Sequence, residues 1–312
     1  MTGADGSHGP AFAGADPEMP KTVPGHRPRG VGYGQAARGV LAVPGKAALV
    51  GGMTLLGLSA VFPIYFMLVN AMKTAPEYAA NKLALPGQFN LANFGTAWAA
   101  SNNGGYVINS VIVTVATIVL SVALATTAGY AFAKLRWRGS TPTFFFVLAW
   151  MAVPPLLLMV PIYVEMVDLG LLNNYLSVVL LYSALNLPFN AYLMTAFFHA
   201  IPDELMEAAR VDGASVHRIF VSIMLPLSIP AVVTIIIFNV LYVWNEFVFA
   251  LLLLQSDKVK TLTPGLLQLQ GRFFFNYPAL MAGLLIASLP MVGVYLIFQR
   301  YLVRAIAAGA LK

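Results

Sequence analysis

Long apolar stretches separated by short polar ones set the character of this chain. The first runs from about residue 47 to 69. The second has its core at about 107–132, inside a stretch without charge between Lys82 and Lys134. The third covers about 144–164 and the fourth about 175–198. The fifth covers about 229–254 and is interrupted by Glu246, and the sixth covers about 279–298. Each is near or above the roughly 20 residues a helix needs to cross the hydrocarbon of a bilayer. Strands of a membrane barrel are about half that length and alternate in polarity; these segments do not. The pattern predicts an all-α polytopic membrane protein with six transmembrane helices. Prolines fall inside several of them: Pro154, Pro155 and Pro161 in the third, Pro188 in the fourth and Pro290 in the sixth. Each removes a backbone donor and favours a kink. Such kinks suit a cavity lining as well as they suit plain packing.

Composition supports the membrane assignment. Hydrophobic residues make up 59% of the 312, charged residues only 10%, and the mean hydropathy is +0.78. Soluble domains carry about 25% charged residues. The net charge of +6 is no nucleic-acid signal, because the basic residues flank the apolar segments. There is no cysteine, which excludes a disulfide scaffold and thiolate metal sites. The four histidines are scattered, so no metal site is expected.

The basic residues also orient the chain. Thirteen of the 18 fall on one side: Lys21, Arg27, Arg29, Arg38 and Lys46 before the first segment, Lys134, Arg136 and Arg138 after the second, Arg210 and Arg218 after the fourth, and Arg300, Arg304 and Lys312 in the tail. The other side has Lys73, Lys82, Lys258, Lys260 and Arg272. The positive-inside rule then puts both termini in the cytoplasm of a multi-pass cell-membrane protein. Residues 1–46 are rich in glycine and proline and hold almost no apolar run, which predicts a disordered cytoplasmic arm before a membrane domain at 47–312. The arm lacks the apolar core of a signal peptide, so the first segment is expected to act as an uncleaved anchor.

The fourth-to-fifth connection, about 200–228, carries the most specific pattern. Pro202 suits a first helical turn, and Asp203 and Glu204 suit the positive end of a helix dipole. A helix from Asp203 to about Asp212 is roughly 15 Å long, too short to cross a bilayer. Gly213 fits the left-handed position that closes a helix, and Ser215 can cap the next. Ala208 and Ala209 are small enough for another protein's surface to approach closely. Glu207-Ala208-Ala209, three residues, Gly213, nine residues and then Ile223-Met224-Leu225-Pro226 resemble the cytoplasmic "EAA" loop of permease subunits in binding-protein-dependent ABC importers. Trp244-Asn245-Glu246-Phe247 looks like the "WNEF" stretch of maltose-type carbohydrate permeases. The C-terminus, from Gln299-Arg300-Tyr301 to Gly309-Ala310-Leu311-Lys312, is similar to the tail of MalG-like subunits.

The resemblance covers roughly 47–312 and implies a division of labour. A homologous sister permease would share the pathway, two copies of a cytosolic ATPase would bind beneath, and an extracytoplasmic protein would deliver a sugar. Coupling to the ATPase would fall on Glu207, Ala208, Ala209, Asp212 and Gly213, and an ATPase-contacting tail on Gly309, Ala310, Leu311 and Lys312. The chain has no G-x-x-x-x-G-K-[ST] phosphate loop. ATP and Mg therefore belong to the partner, and neither a catalytic group nor a cofactor is expected in this chain.

Glu246 is the acid most clearly embedded in an apolar segment. Such a group costs about 2.5–3.5 kcal/mol on insertion scales unless it faces a cavity, pairs or keeps its proton. Tyr242, Asn245 and Glu246 share a helix face, and they are the candidate substrate-pathway residues. A structural hydrogen bond is the competing reading. Asn186 and Asn190 offer the same choice between the pathway and helix–helix bonding. An ABC permease for peptides, amino acids or phosphonates remains open, as does an ion-coupled secondary transporter.

Overall fold

The computed structural model describes residues 42–99, 103–135, 137–269 and 276–310. The disordered arm expected at 1–46 lies outside these apart from its last five residues. Contacts divide the chain into Met1–Ser59 and Ala60–Lys312, and the packing below is that of the second unit. In chain order the helices are α1 (Ala42–Ala71), α2 (Ala75–Ala80), α3 (Ala92–Ala99), α4 (Asn103–Lys134), α5 (Ser140–Ala149), α6 (Met159–Asp168) and α7 (Tyr175–Ala200). Then come α8 (Glu204–Val211), α9 (Val216–Ile219), α10 (Leu225–Leu227), α11 (Ile229–Asn245), α12 (Val248–Leu253), α13 (Leu262–Gly265) and α14 (Tyr277–Ala310). No strand occurs among the described residues.

Four of the six expected spans are single helices: Ala47–Ala71, Gly104–Lys134, Tyr175–Ala200 and Tyr277–Gln299. The other two are bent pairs, Ser140–Ala152 with Pro155–Asp168 at 89° and Val216–Leu227 with Ile229–Asn245 at 73°. Counting each pair as one span gives six. The third segment breaks where two prolines follow each other. Val153 and Pro154 are extended, and Pro155–Leu158 resumes as a 3-10 turn. Pro188 and Pro290 stand alone inside α7 and α14, which run on as helices. The fifth segment departs furthest from expectation. Its helical pair begins at Val216, bends near Ser228 and ends at Asn245, before Glu246.

The centre of the unit is the pairing of α4 with α7, which touch along most of their length, with α11 against both. Gly129 of α4 lies so close to α7 that a Cβ there would stand 2.5 Å from the Cβ of Met194. Asn190 of α7 donates to Asn239 of α11 at 3.4 Å, both buried, whereas Asn186 turns back to the Tyr182 carbonyl of its own helix at 2.8 Å.

The two ends of α4 gather different loops. At the Asn109 end, the Asn109 amide donates to the carbonyls of Lys258 and Lys260 at 3.1 and 2.9 Å and accepts from Tyr175 at 2.7 Å. Asn173, at the start of the same end, accepts from the Ser256 amide at 2.7 Å. Lys260 pairs with Asp257 at 2.7 Å, and this bond and charge hold the Asp257 carboxyl below its usual range. Lys73, counted above as a loop charge, is buried instead. Its ammonium donates to Asn70 and to the carbonyls of Asn81 and Lys82 at 3.0–3.1 Å, and burial pulls its pKa down. The Lys134 end collects the segment after α7.

Candidate functional site

The segment after α7 is the hairpin that the sequence singles out. The helix expected from Asp203 begins one residue later: Asp203 occupies the N-cap position of α8, and Pro202 lies outside the helix. An N-cap carboxylate normally accepts from the second or third helical amide. Asp203 makes no such bond. Its carboxylate pairs with Lys134 at 2.5 Å, and the same ammonium donates to the Ile201 carbonyl at 2.6 Å.

Helix α8 is two-faced. Met206 is buried at 3% exposure, in a cluster with Tyr130, Met194, Phe198, Ile219 and Met224. Ala209 is half-buried against that cluster. Leu205, Ala208, Val211 and Asp212 are exposed, Val211 at 88%. Steps of three and four residues place these four on one side of the helix. Glu207 is exposed as well. Sequence reading selected Ala208 and Ala209 together for their size, but they play different parts. Ala209 has to be small for α8 to lie on its own bundle, and Ala208 leaves the outward face low. Leu205 and Val211 were missed, although large apolar residues on a short polar hairpin are a legible signal.

The helix closes as Gly213 requires. The Gly213 amide donates to Arg210 at 3.0 Å and the Ala214 amide to Ala209 at 2.9 Å, the paired bonds of a Schellman motif. Gly213 has φ +76°, and nothing lies within 4 Å of where a Cβ would stand. Conformation, not space, demands glycine there. Ser215 then caps α9 by accepting from the Arg218 amide at 3.3 Å. Phe220–Met224 forms a π turn, so Ile223-Met224-Leu225-Pro226 straddles the passage from that turn into α10. Met224 is fully buried there. Between α8 and the end of α4 lies a polar cleft of ≈ 400 Å³, lined by Lys134, Asp203, Glu207 and Arg210 among others.

Within the membrane segments the Glu246 region has a different geometry from the one expected. Tyr242, Asn245 and Glu246 do not form one helical face, because α11 stops at Asn245 and Glu246 is extended (φ −67°, ψ 129°). Its two carboxylate oxygens accept from the amides of Phe249 and Ala250, each at 2.9 Å, and so start α12. Tyr182 of α7 donates to the same carboxylate at 2.5 Å. The Tyr242 ring meets the Tyr182 ring edge-on, with centroids 6.0 Å apart. Asn245 is exposed and donates to the Leu241 carbonyl at 2.7 Å. Trp244 donates from its indole to the Ala287 carbonyl at 3.1 Å, tying α11 to α14. Tyr182, 64 residues from Glu246, gave no sign of this role in the sequence. Of the expected tail, Gly309 and Ala310 close the backbone of α14, while Leu311 and Lys312 lie outside the described residues. No group of three or more metal-binding side chains occurs among the described residues.

Comparison with known proteins identifies the arrangement. Residues 121–308 match the family model described as "Binding-protein-dependent transport system inner membrane component". A probable ABC transporter permease protein of Bacillus subtilis, YurM, is 33% identical over 82% of this chain and 85% of its own length. The melibiose/raffinose/stachyose import permease protein MelC of the same organism is 33% identical over 80% and 91%. The diacetylchitobiose uptake system permease protein NgcG of Streptomyces coelicolor is 30% identical over 81% and 84%. A chain from the crystal structure of a bacterial ABC transporter that imports the acidic polysaccharide alginate shares the fold. Its TM-score is 0.73 at 24% identity, over 86% of this chain and 98% of that one. With an amphipathic hairpin closed at Gly213 and a bundle of long apolar helices, this multi-pass membrane chain belongs to the family of binding-protein-dependent transport system inner membrane components, the permease subunits of ABC transporters.

Proposed function

We propose that the chain forms, with a homologous sister permease, the membrane pathway of an oligosaccharide importer, and that it draws energy from a separate cytosolic ATPase through α8. The outward face of α8, with Ala208 low between Leu205 and Val211 and Gly213 fixing the exit of the chain, carries this reading. An apolar strip on a hairpin that otherwise faces water gains by burial in a partner's groove. Glu207, Ala208, Asp212 and Gly213 are the contact and shape residues, and Ala209 seats the helix. Two ATPase copies, one under each permease, hold ATP and Mg, and a solute-binding protein delivers the sugar from the opposite side. The basic asymmetry supports a cytoplasmic position for the hairpin and both termini. Relatives named for melibiose, raffinose, stachyose and diacetylchitobiose support a short oligosaccharide as cargo.

The test is ATP hydrolysis by the complete assembly in vesicles, with its solute-binding protein added. Raffinose, diacetylchitobiose and an arabinooligosaccharide are offered beside a dipeptide, glutamine and a phosphonate. Stimulation by at least one sugar is expected. Stimulation confined to the non-sugars would replace the cargo and leave the permease assignment standing.

A further inference from the structure

We propose that Lys134 is a positioning residue for energy coupling: it clamps the base of α8 to the ends of both central helices, so that the hairpin and the bundle move as one. The proposal rests on the reading of α8 as the ATPase-docking helix. Lys134 is the last residue of α4, and its side chain is 4% exposed. A buried ammonium has to find acceptors close by, and this one finds them on a different part of the chain. One is the carbonyl of Ile201, the C-cap of α7, at 2.6 Å. The other is the carboxylate of Asp203, the N-cap residue of α8, at 2.5 Å. A single charge therefore joins the carboxyl ends of α4 and α7, where helix dipoles favour a cation, to the N-cap of α8.

Two further observations single this contact out. Asp203 makes no side-chain capping bond to its own helix, and its carboxylate pairs with Lys134 across the connection. The connection from α7 to α8 has no helix of its own between Ala200 and Glu204. Beside the clamp, Ile201, Met206 and Ala209 pack the base of α8 against the bundle; these apolar contacts carry no charge and fix no direction of pull. Force applied by an ATPase to the exposed face of α8 passes to α4 and α7 through this joint.

The experiment uses the assembled transporter in vesicles and compares Lys134→Met, Lys134→Arg and Asp203→Ala with the parent. The native chain has no cysteine, so Ala208→Cys can be added alone to each as a reporter of contact with the ATPase by cross-linking. Lys134→Met and Asp203→Ala are expected to retain the cross-link, yet stimulation of ATP hydrolysis by the sugar-loaded binding protein should fall at least fivefold. Lys134→Arg, which keeps the charge and the donors, should recover at least half of the stimulation. A purely structural role would move all three together with the amount of assembled complex. Parent-level stimulation in Lys134→Met overturns the proposal. If that variant does not accumulate, Asp203→Ala decides, since its side chain is 61% exposed and its removal leaves no cavity; parent-level stimulation there overturns the proposal equally. Ala208→Trp serves as the control for the reading beneath it. If Ala208→Trp is stimulated normally, α8 is not the docking helix and both proposals fall; if it is uncoupled while Lys134→Met is not, only the clamp falls.

Discussion

At the scale of single residues, Glu246 shows how one side chain determines where a span ends. Its carboxylate takes the second and third amides of α12 and the hydroxyl of Tyr182. A leucine there leaves these donors without an acceptor, at about 1–3 kcal/mol for each buried group. Glutamine has one acceptor oxygen instead of two, but it keeps the shape and part of the network. Glu246→Leu is therefore expected to lower the amount of assembled transporter several-fold, and Glu246→Gln to lower it far less. Accumulation of the leucine variant at parent level would show that the network is dispensable. The acid itself was legible in the sequence as a cost that something had to offset. Its partners were less so: Phe249 and Ala250 lie three and four residues on, but Tyr182 is 64 residues away and left no mark in the sequence.

At the scale of elements, the hairpin was the part most open to sequence reading, because its signals are local. Asp203, Gly213 and Ser215 stand at the start, close and restart of helices in the structure. The bends were less open. A lone proline costs a helix one bond, and α7 and α14 absorb Pro188 and Pro290 without stopping. Pro154-Pro155 removes two neighbouring donors and pushes the preceding residues to extended geometry, so the chain turns. The bend near Ser228 had no such doublet to announce it. Two variants probe the hairpin as an element. Gly213→Val forces a β-branched residue to φ +76°, which costs about 1–3 kcal/mol where no freedom remains. It is expected to insert normally and to lose most solute-stimulated hydrolysis. Ala208→Trp should do the same by filling the outward face. Ala209→Trp is a poorer probe, since it would push α8 from its own bundle. Normal stimulation in both Gly213→Val and Ala208→Trp would remove the hairpin from the coupling path.

At the scale of the whole molecule, apolar length alone disclosed the bundle, because crossing a bilayer is a requirement on one dimension of sequence. Which loops share an end is visible in the structure: those near Asn109, Tyr175 and Lys258 meet at one end of α4, and those near Lys134 and Asp203 at the other. Reporter fusions at Asp212 and Asp257 are expected to lie on opposite sides of the membrane, the first in the cytoplasm. Reports from the same side at both positions would refute the topology. The loop carrying Asp257 is expected to respond to pH with a definite sign. Its carboxyl is held below the ordinary range by Lys260, so the contact is fully formed above that range and weakens as pH falls through the lowered value. Hydrogen exchange of residues 255–262 is accordingly expected to rise in acid before that of the helices; exchange indifferent to pH would assign the loop's order to its uncharged bonds with Asn109, Ser110 and Asn173.

The missing side chain at Gly129 bears on how such a molecule can change shape. With α4 and α7 in backbone contact at that point, an added methyl would have to enter Met194, and overpacking of this kind costs about 1–3 kcal/mol. Gly129→Ala should therefore lower the thermal stability of the purified complex, and an unchanged melting temperature would show that the helices have room to part. Helices that fit so closely cannot slide past each other by a turn without first separating. The pair is then expected to move as one body. Bending is then left to places where the chain is already angled, among them Val153–Pro154 and the corner near Ser228.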